Sequence, residues 1–382
     1  MRHLLINPPF YRFMGSHFNG MSLGLSYLAA YLKKCDSENR IAIYSADYLE
    51  GDYRTQEELF DSVPDYDNKE IYSEIDSVLR FYKPDAVHIT VLSPIVHIAK
   101  RIEEICKDKG IKVFAGGPHV ILSEVKQFEN EYKSLLFEEH LITPDRTSYL
   151  SDVDMGYIIT GFGCSNDCSF CASKRLHKKI ILRPVEDVIA EIKDIKANYT
   201  NELYFVDDTF TLLKKRTQEI CKRIIKERID IKWRCDTRLD RIDLETLKLM
   251  KRAGCYRVKV GVESGSEKIL KTINKNLTLK EIRKKITLIK EAGISLTVYL
   301  MAGFPDETDD DVDKTIELAK EIEADYYSLS LLTPYPGTKL YRGQELGQNH
   351  QTKRLALNDL ITANKLEEFL NANLKYSKGV RA

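Results

Sequence analysis

The sequence predicts an α/β protein with two successive regions of parallel sheet. Short runs of β-branched and other apolar residues recur along the chain, and segments with a helical spacing of apolar residues separate them. Strands that alternate with helices in this way indicate βαβ units, in which the strands are parallel. A chain of 382 residues is too long for one typical domain, so the two regions are expected to be separate domains.

The first region covers residues 1–140. Its predicted strands are Leu4–Ile6, Ile41–Ile43, Ala86–Val91 and Ile111–Ala115, and helical spacing occurs in Leu23–Leu32 and Ile95–Cys106. Parallel sheets bind ligands at the carboxyl ends of their strands. Those ends here carry small and turn-forming residues: Asn7-Pro8-Pro9, Ser93-Pro94 and Gly116-Gly117-Pro118-His119.

The second region covers residues 155–340. Its predicted strands are Tyr157–Thr160, Leu203–Val206, Ile231–Arg234, Arg257–Val262, Leu296–Met301 and Tyr327–Leu332. Amphipathic segments between them include Val185–Ala197, Thr217–Arg228, Leu244–Ala253 and Leu279–Ala292. Six such units predict a partial (β/α)6 barrel, with its chemistry at the carboxyl ends of the strands.

Two further segments complete the predicted organisation. Residues 141–154 are expected to link the two regions. Residues 341–382 are expected to form a short tail, in which Leu355–Leu374 is helical and Ser377–Ala382 is disordered. A tail this short leaves the mouth of the barrel open, which favours a large or tethered substrate such as a peptide, a carrier-bound chain or a lipid.

Three cysteines in one short run are the strongest chemical signal. Cys164, Cys168 and Cys171 are spaced so that a single loop can bring three thiolates to one inorganic cluster. Four cysteines close an iron–sulfur cluster completely, whereas three leave one iron open to another ligand. The alternative is a structural zinc site or unrelated thiols. Zinc sites usually close with a fourth Cys or a His, and here the nearest downstream candidate is His177.

With its flanking strand and with Phe170 before the last cysteine, this run resembles the C-x-x-x-C-x-x-C signature of the radical S-adenosylmethionine (SAM) enzymes. The resemblance implies that Cys164, Cys168 and Cys171 hold a [4Fe–4S] cluster whose fourth iron binds SAM. One electron would then cleave SAM to a 5′-deoxyadenosyl radical. The resemblance also implies a radical SAM partial barrel and a one-electron donor such as flavodoxin or ferredoxin.

The first region resembles the cobalamin-binding domain that precedes the radical domain in class B radical SAM methyltransferases. This implies a Rossmann-like doubly wound parallel sheet, with cobalamin contacted by Asn7, Pro8, Gly116, Gly117 and His119. The D-x-H-x-x-G signature that supplies a cobalt ligand in other cobalamin proteins is absent. Cobalamin would then be held without a protein ligand, or the domain would be vestigial. His119 is either a ligand or a capping residue behind the site.

The resemblance assigns roles at the next two strand ends of the barrel. Asp207 and Asp208 fall where the family contacts the SAM amino group, although either also suits the cap of the next helix. Arg238 suits the SAM carboxylate, because a guanidinium binds a carboxylate in a bidentate way. Cys235 is a candidate hydrogen-atom donor, since some radical SAM epimerases use a thiol, but a free Cys is more often a packing residue.

The fourth and fifth strand ends complete the predicted SAM site. Glu263 and Ser264 fall where the family holds the ribose or the carboxylate of SAM. Gly303 belongs to the run Met301–Thr308, which the resemblance places on the adenine side. Asp306 stands in this run where the family usually has Gly.

Composition excludes several other classes of protein. The chain has 58 basic and 58 acidic residues, so nothing indicates a nucleic-acid partner. No apolar run approaches the ~20 residues that span a bilayer. The other five cysteines have no pairing pattern, which fits a reducing cytoplasm. These observations favour a cytoplasmic enzyme.

The sequence therefore favours a cobalamin-dependent radical SAM methyltransferase that acts on an unactivated carbon. One alternative is a cobalamin-independent radical SAM epimerase, cyclase or rearrangement enzyme with a vestigial first domain. Another is a non-enzymatic cobalamin or redox sensor or an electron carrier, which would not need SAM-side motifs at several strand ends.

Overall fold

A computed structural model describes residues 1–14, 18–49, 67–132 and 142–342. These residues form two compact units, which meet in sequence between Met155 and Gly156. Among the described residues no helix is long and apolar enough to cross a membrane. The predicted helix Leu355–Leu374 and the predicted disordered end lie outside the described residues.

The amino-terminal unit contains one four-stranded sheet with the order β2-β1-β3-β4. Its strands are β1 (Arg2–Asn7), β2 (Arg40–Ser45), β3 (Ala86–Thr90) and β4 (Lys112–Gly116), and its helices are α1 (Leu23–Cys35), α2 (Lys69–Tyr82), α3 (Val96–Lys107) and α4 (Pro118–Leu122). Every pair of neighbouring strands is parallel. The order reverses between β1 and β3, so the sheet is doubly wound and its ligand crevice is expected at that point.

Helices cover this sheet on both faces. Leu5 and Ile43 pack with Leu25 and Ala29 of α1, whereas the alternate residues of the strands belong to the main core of the unit. This alternation follows from the two-residue period of a strand. Sequence analysis did not predict α2, although Ile71, Ile75 and Leu79 recur at helical spacing and Asn68 caps its first turn.

The predicted linker is part of the amino-terminal unit instead. Ile43 of the edge strand β2 donates its N–H to the carbonyl of Ser148 at 2.8 Å, and Leu150 donates to the carbonyl of Ile43 at 2.9 Å. Tyr149 forms a parallel bridge to Ile43. The physical reason is that an edge strand leaves backbone groups without partners, and residues 148–150 supply those partners.

The second unit contains a six-stranded sheet with the order β12-β11-β10-β9-β8-β5 and a two-stranded antiparallel pair, β6-β7. Its strands are β5 (Tyr157–Ile158), β6 (Gly161–Phe162), β7 (Ile181–Leu182), β8 (Glu202–Phe205), β9 (Lys232–Thr237), β10 (Cys255–Glu263), β11 (Ser295–Ala302) and β12 (Tyr326–Leu331). Its helices are α5 (Ser173–Leu176), α6 (Val185–Asn198), α7 (Lys214–Lys226), α8 (Leu244–Arg252), α9 (Glu267–Thr272), α10 (Leu279–Glu291) and α11 (Asp309–Ile322).

The six parallel strands of this sheet follow one another in sequence order. Right-handed crossovers between successive neighbours place all the connecting helices on one face, which is the arrangement of a (β/α) barrel. The hydrophobic core lies between that face and the helices and includes Trp233, Val258 and Val298. The alternate residues face the inside of the barrel and include Tyr204, Asp236 and Lys259. All six predicted strands are confirmed.

The first barrel strand is shorter than predicted. It ends at Ile158, and Gly161–Phe162 pairs with β7 rather than with the main sheet. The cause lies at Thr160, whose backbone N–H and hydroxyl both donate to the side chain of Asp207. A residue held in this way cannot continue the ladder, and the chain leaves the sheet toward the three cysteines.

Candidate active site

Four hydrogen bonds from three residues hold Thr160 shortly before the cysteine loop. Asp207, at the end of β8, accepts the Thr160 N–H at 2.9 Å and its hydroxyl at 2.6 Å. The carbonyl of Thr160 accepts from the Arg183 backbone N–H at 3.0 Å and from Arg216 Nη2 at 3.1 Å. Burial raises the pKa of Asp207 to about 6. We call this arrangement the Thr160 clamp.

Asp208 holds the cysteine loop at Gly163, the residue before Cys164. Its Oδ2 accepts the N–H of Gly163 at 3.0 Å, and the next helix, α7, begins only at Lys214. The alternative role of Asp207 or Asp208 as a cap for that helix is therefore wrong. Both carboxylates instead accept hydrogen bonds from the segment that leads into Cys164. Their predicted contact with the SAM amino group stays a prediction.

The cysteine loop is fixed on its other side by the turn after α9. Ser169 donates its N–H to the carbonyl of Ile273 at 2.9 Å, and its hydroxyl donates to the carbonyl of Thr272 at 3.2 Å. Asn274 Nδ2 donates to the carbonyl of Asp167 at 2.9 Å. Sequence analysis missed this turn. The signal available was the pair Asn274 and Asn276, which both adopt positive φ, as Asn does more readily than most residues.

Arg238 lies beside the cluster loop. Its Nη1 lies 3.4 Å from Cys168 Sγ, its Nη2 donates to the carbonyl of Lys275 at 2.8 Å, and its Nε donates to Asp240 at 2.8 Å. The guanidinium is thus engaged on three sides and places its positive charge beside Cys168. The SAM-carboxylate role predicted for Arg238 stays a prediction.

The three thiols are close enough to influence one another. Although Cys171 is exposed in part, desolvation raises the pKa of its thiol to about 11, and the charges of Asp208, Cys168 and Cys164 add to the effect. Among the described residues no three such ligands gather tightly enough for a single metal ion. A [4Fe–4S] cluster uses one thiolate for each iron, so its ligands stand further apart than those of one ion.

A buried ion pair occupies the end of β10. Lys275 Nζ lies 2.6 Å from Glu263 Oε1, and the two side chains are 5% and 8% exposed. Glu263 adopts a φ of 71°, and a Cβ on Gly261 would collide with Glu263 Oε1 and Lys275 Nζ. Glu263 thus stands at the predicted strand end, with a cationic partner that sequence analysis missed.

Ser264 is turned away from the site. Its side chain is completely buried, lies 3.2 Å from Thr315 Oγ1 of α11 and accepts the N–H of Ser266 at 3.1 Å. The SAM contact predicted for Ser264 stays a prediction, and in the structure its hydroxyl is engaged by Thr315 and Ser266. The side chain joins the end of β10 to α11 because the preceding residue, Glu263, has already turned the chain.

The loop after β11 is organised by Glu307. Its Oε2 accepts the N–H groups of Gly303 at 2.6 Å and of Phe304 at 3.3 Å. Gly303 has a φ of 85°, which suits glycine. Asp306 has a φ of 62°, which explains why the family usually has Gly there. Burial raises the pKa of Glu307 to about 7.

The raised pKa of Glu307 predicts a pH-dependent gain in stability for Glu307→Gln. Between about pH 4.5 and 7 the folded protein holds this proton more tightly than the unfolded chain, so ionisation lowers the free energy of unfolding as the pH rises. The Gln oxygen can still accept both N–H groups and has no proton to lose. We expect the stability of the variant relative to wild type to increase across this window.

Urea unfolding at both ends of the pH window measures this effect. The chain has a single tryptophan, Trp233, which is completely buried in the second unit, so its fluorescence reports the unfolding of that unit alone. A stability difference between variant and wild type that is the same at both pH values would contradict the assignment of this carboxyl group.

Cys235 does not face the inside of the barrel. It is completely buried in the core between the sheet and the helices, and burial raises the pKa of its thiol. Its neighbour Asp236 lies on the opposite face, because successive side chains of a strand alternate. A hydrogen-atom donor to a substrate inside the barrel must face that substrate. The catalytic prediction for Cys235 is therefore wrong, and the packing alternative describes it.

In the amino-terminal unit, Asn7 and Pro8 follow β1 at the point where the strand order reverses. The carbonyl of Asn7 accepts the N–H of Ala46 at 2.9 Å. The following loop is held by buried Asp47, whose Oδ1 accepts the N–H groups of Phe10 at 2.9 Å and Arg12 at 3.0 Å. Burial raises the pKa of Asp47 to about 7. None of these hydrogen bonds, which hold the loop in place, involves the side chain of Asn7.

Gly116, Gly117 and His119 follow the neighbouring edge of the same sheet. Gly117 has a φ of 98°, and a Cβ there would lie 2.9 Å from the backbone nitrogen of Val91. Close approach of the two loops thus requires glycine. His119 is buried, with Nδ1 3.0 Å from Ser93 Oγ and Nε2 3.0 Å from Gln127 Nε2. Both ring nitrogens are engaged, so His119 supports the loop, which favours its role as a capping residue, and its contact with cobalamin stays a prediction.

Comparison with protein families identifies the second unit. Residues 158–319 match the radical SAM superfamily. An uncharacterized methyltransferase of Pyrococcus horikoshii is 29% identical to this chain over 404 aligned residues, which cover 89% of this chain and 82% of the relative. An anaerobic magnesium-protoporphyrin IX monomethyl ester cyclase of Rubrivivax gelatinosus is 28% identical, and the match covers 48% of this chain and 34% of that enzyme.

Two solved structures share the fold of both units. One is the radical SAM methyltransferase TsrM from Kitasatospora setae with cobalamin and a [4Fe–4S] cluster bound, with a TM-score of 0.65, 15% identity and coverage of 88% of this chain and 76% of TsrM. The other is the cobalamin-dependent radical enzyme OxsB with aqua-cobalamin and SAM bound, with a TM-score of 0.63, 15% identity and coverage of 97% of this chain and 55% of OxsB. At these identities the similarity shows the fold alone.

The cysteine loop, its position at the end of the first barrel strand and the family match together define a radical SAM domain. Residues 158–319 are thus a radical SAM domain, the chain is an enzyme, and the fold of its two units is that of TsrM and OxsB. A radical SAM domain implies a [4Fe–4S] cluster and SAM.

Proposed function

We propose that this enzyme reductively cleaves SAM and uses cobalamin to transfer a methyl group to an unactivated carbon. The observation that carries the proposal is the cysteine loop, held at the end of β5 by the Thr160 clamp and by the turn after α9. When bound, the cluster supplies the electron that cleaves SAM, and methylcobalamin supplies the methyl group.

The protein's part in the SAM site is to hold and orient. Cys164, Cys168 and Cys171 are the cluster ligands, and Arg238 places positive charge beside Cys168. Glu263 offers a carboxylate to the ribose diol of SAM, with its charge compensated by Lys275. Gly303 and the backbone around it form the adenine side. Rigid positioning of this kind lowers the entropic cost of bringing reactants together.

The residues of the amino-terminal unit fit a cofactor bound by backbone and small side chains. Asn7 and Pro8 lie at the reversal of the strand order, Gly116 ends the edge strand β4, and Gly117 follows it. Cobalamin held here would take no cobalt ligand from His119, whose ring nitrogens are engaged. The bound cobalamin of TsrM and OxsB, which share this fold, supports the same role for this unit.

Further participants follow from the chemistry. Reduction of the cluster requires a one-electron donor, for which flavodoxin or ferredoxin is suitable. All eight cysteines are free thiols, which suits a reducing compartment and supports a cytoplasmic location for the enzyme. We further propose a large or carrier-tethered substrate rather than a small metabolite.

The optical spectrum of the reconstituted enzyme tests the cobalamin proposal. The full chain is reconstituted with iron and sulfide under anaerobic conditions, offered hydroxocobalamin and desalted. We expect corrinoid bands to remain above the broad iron–sulfur absorbance. The Cys168→Ala variant is a matched control, because it lacks a cluster ligand but keeps the whole amino-terminal unit, and it is expected to retain corrinoid as well.

The opposite result selects the alternative reaction. Iron–sulfur absorbance with no retained corrinoid would overturn methyl transfer from cobalamin. The enzyme would then be a cobalamin-independent radical SAM epimerase, cyclase or rearrangement enzyme. Two observations favour this cobalamin-independent alternative: the D-x-H-x-x-G motif is absent, and both ring nitrogens of His119 are engaged in hydrogen bonds.

A further inference from the structure

A polar cluster lines the inner face of the barrel sheet below the SAM site. It consists of Tyr204 on β8, Asp236 on β9, Lys259 on β10, and Thr297 and Tyr299 on β11, and we call it the inner polar cluster. Lys259 pairs in register with Asp236 on one side and with Thr297 on the other, so these side chains point the same way. Charged residues are rarely buried in this manner unless they are paired.

The acceptor capacity of the cluster is already used. The two carboxylate oxygens of Asp236 accept the hydroxyl of Tyr204 and, at 3.2 Å, the hydroxyl of Tyr299. Burial raises the pKa values of Asp236 and of both tyrosines. The carboxylate is therefore not available as a site for a cationic ligand.

One hydrogen-bond donor of the inner polar cluster, the hydroxyl of Thr297 on β11, is not used within the described part of the chain. Thr297 is 4% exposed, and its Oγ1 has no hydrogen-bond partner among the described residues. Leu296 and Val298 on either side of it belong to the helix-facing core, so the Thr297 hydroxyl points into the barrel. A buried polar group without a partner destabilises the fold, and a ligand in the barrel that accepts a hydrogen bond from this hydroxyl would remove that cost.

Positive charge gathers around this hydroxyl. Lys259 is 5% exposed, with its Nζ 4.7 Å from the ring centroid of Tyr204 and 5.9 Å from that of Tyr299. The guanidinium of Arg257 lies 3.9 Å above the ring of Tyr326. Arg234, which lies on the same face, is paired with Glu202 at 2.5 Å. Lys259 and Arg257 thus place two positive charges on the face that carries the Thr297 hydroxyl.

We propose that the inner polar cluster binds an anionic oxygen group of the substrate, a carboxylate or a phosphate. Lys259 and Arg257 supply the positive charge, and the Thr297 hydroxyl donates a hydrogen bond. Tyr204, Asp236 and Tyr299 form a fixed wall that keeps Lys259 in place. This inference rests on the proposed function, because it takes the inside of the radical SAM barrel as the place where the substrate is held.

Isothermal titration with two probe anions, pyrophosphate and succinate, tests the proposal. The reconstituted full chain is first saturated with SAM, so that the SAM site does not bind the probe. Wild type is compared with Lys259→Met and Thr297→Val, which remove the charge and the hydroxyl at similar volume. Lys232→Met, on an exposed residue of β9, is the matched control. The fluorescence of Trp233 verifies that each variant is folded.

We expect one saturable site per chain for at least one of the probes. Lys259→Met should weaken binding by about tenfold or more, and Thr297→Val by about threefold to tenfold, because these are the usual contributions of charged and neutral hydrogen bonds. Lys232→Met should bind as wild type does. Saturation by pyrophosphate alone identifies a phosphate group, and saturation by succinate alone identifies a carboxylate.

Two results would overturn the inference. One is that neither anion binds saturably to wild type, and the other is that Lys259→Met and Thr297→Val bind as tightly as wild type. Formation of 5′-deoxyadenosine is measured in the same wild-type preparation. SAM cleavage without anion binding removes this inference alone, whereas the absence of SAM cleavage removes the proposed function.

Discussion

Replacing Cys168 with alanine is expected to reduce 5′-deoxyadenosine formation below about one hundredth of the wild-type rate. Changes behind a metal ligand already cost about 10–100-fold in activity or metal affinity, so the loss of a ligand should cost more. Iron content should fall with the activity. The measurement is product formation from SAM with dithionite as reductant, together with iron and sulfide analysis of the reconstituted protein.

The fold should survive this substitution. The loop keeps its hydrogen bonds from Ser169 to Ile273 and from Asn274 to Asp167, which do not involve the thiol. The unfolding midpoint followed by Trp233 fluorescence should therefore stay close to that of wild type. Cys35→Ala removes an exposed thiol of the amino-terminal unit and should change neither activity nor iron content. Continued SAM cleavage by Cys168→Ala would contradict the proposed role of the loop.

Replacing Lys275 with methionine is expected to destabilise the second unit by about 3–5 kcal/mol. The substitution leaves the carboxylate of Glu263 buried without its partner, and breaking a buried ion pair from one side carries a cost of this size. The backbone carbonyl of Lys275 still accepts from Arg238, so the cluster loop keeps that contact. Urea unfolding followed by Trp233 fluorescence measures the loss.

A double variant separates the ion pair from other effects of the substitution. Glu263→Gln together with Lys275→Met removes both charges, and most of the lost stability should return. Removing both partners of a buried ion pair costs little, whereas removing one partner leaves a buried charge without compensation. Arg283→Met breaks the exposed pair with Glu321, whose side chains are 46% and 50% exposed, and should cost less than about 1 kcal/mol. Equal losses in the single and double variants would show that the charge of Glu263 is not the cause.

The sequence was sufficient to predict the barrel because its strands follow the two-residue period. In β10 the run Arg257-Val258-Lys259-Val260 already shows apolar residues on one face and charged residues on the other. That pattern also contained the inner polar cluster, since a lysine in the middle of a buried strand requires an explanation. The cysteine spacing located the cluster loop in the same direct way.

Predictions that depended on which way a side chain points were less secure. Cys235 and Asp236 are adjacent, and only the register of β9 against β10 decides which of them faces the barrel interior. The same limit applies to Ser264, because the positive φ of Glu263 redirects the chain just before it. A strand end is visible in the sequence, but the direction of the turn after it is not.

The long-range contacts could not be read from the sequence at all. The Thr160 clamp joins residues 47 positions apart in its Asp207 contacts, and the cluster loop meets the turn after α9 across more than 100 positions. Lys275 became recognisable as a partner of Glu263 only when the turn containing it was placed. Local propensity carries no information on such pairs, because tertiary packing decides them.

Electron paramagnetic resonance of the reduced, reconstituted enzyme with and without SAM shows whether SAM binds to the iron that the cysteine loop leaves open. We expect about four iron atoms per chain and a [4Fe–4S] signal that changes when SAM is added, because the loop supplies three thiolates and leaves one iron open. An iron–sulfur signal that SAM does not alter, or a chain that takes up zinc in place of iron, would contradict this expectation.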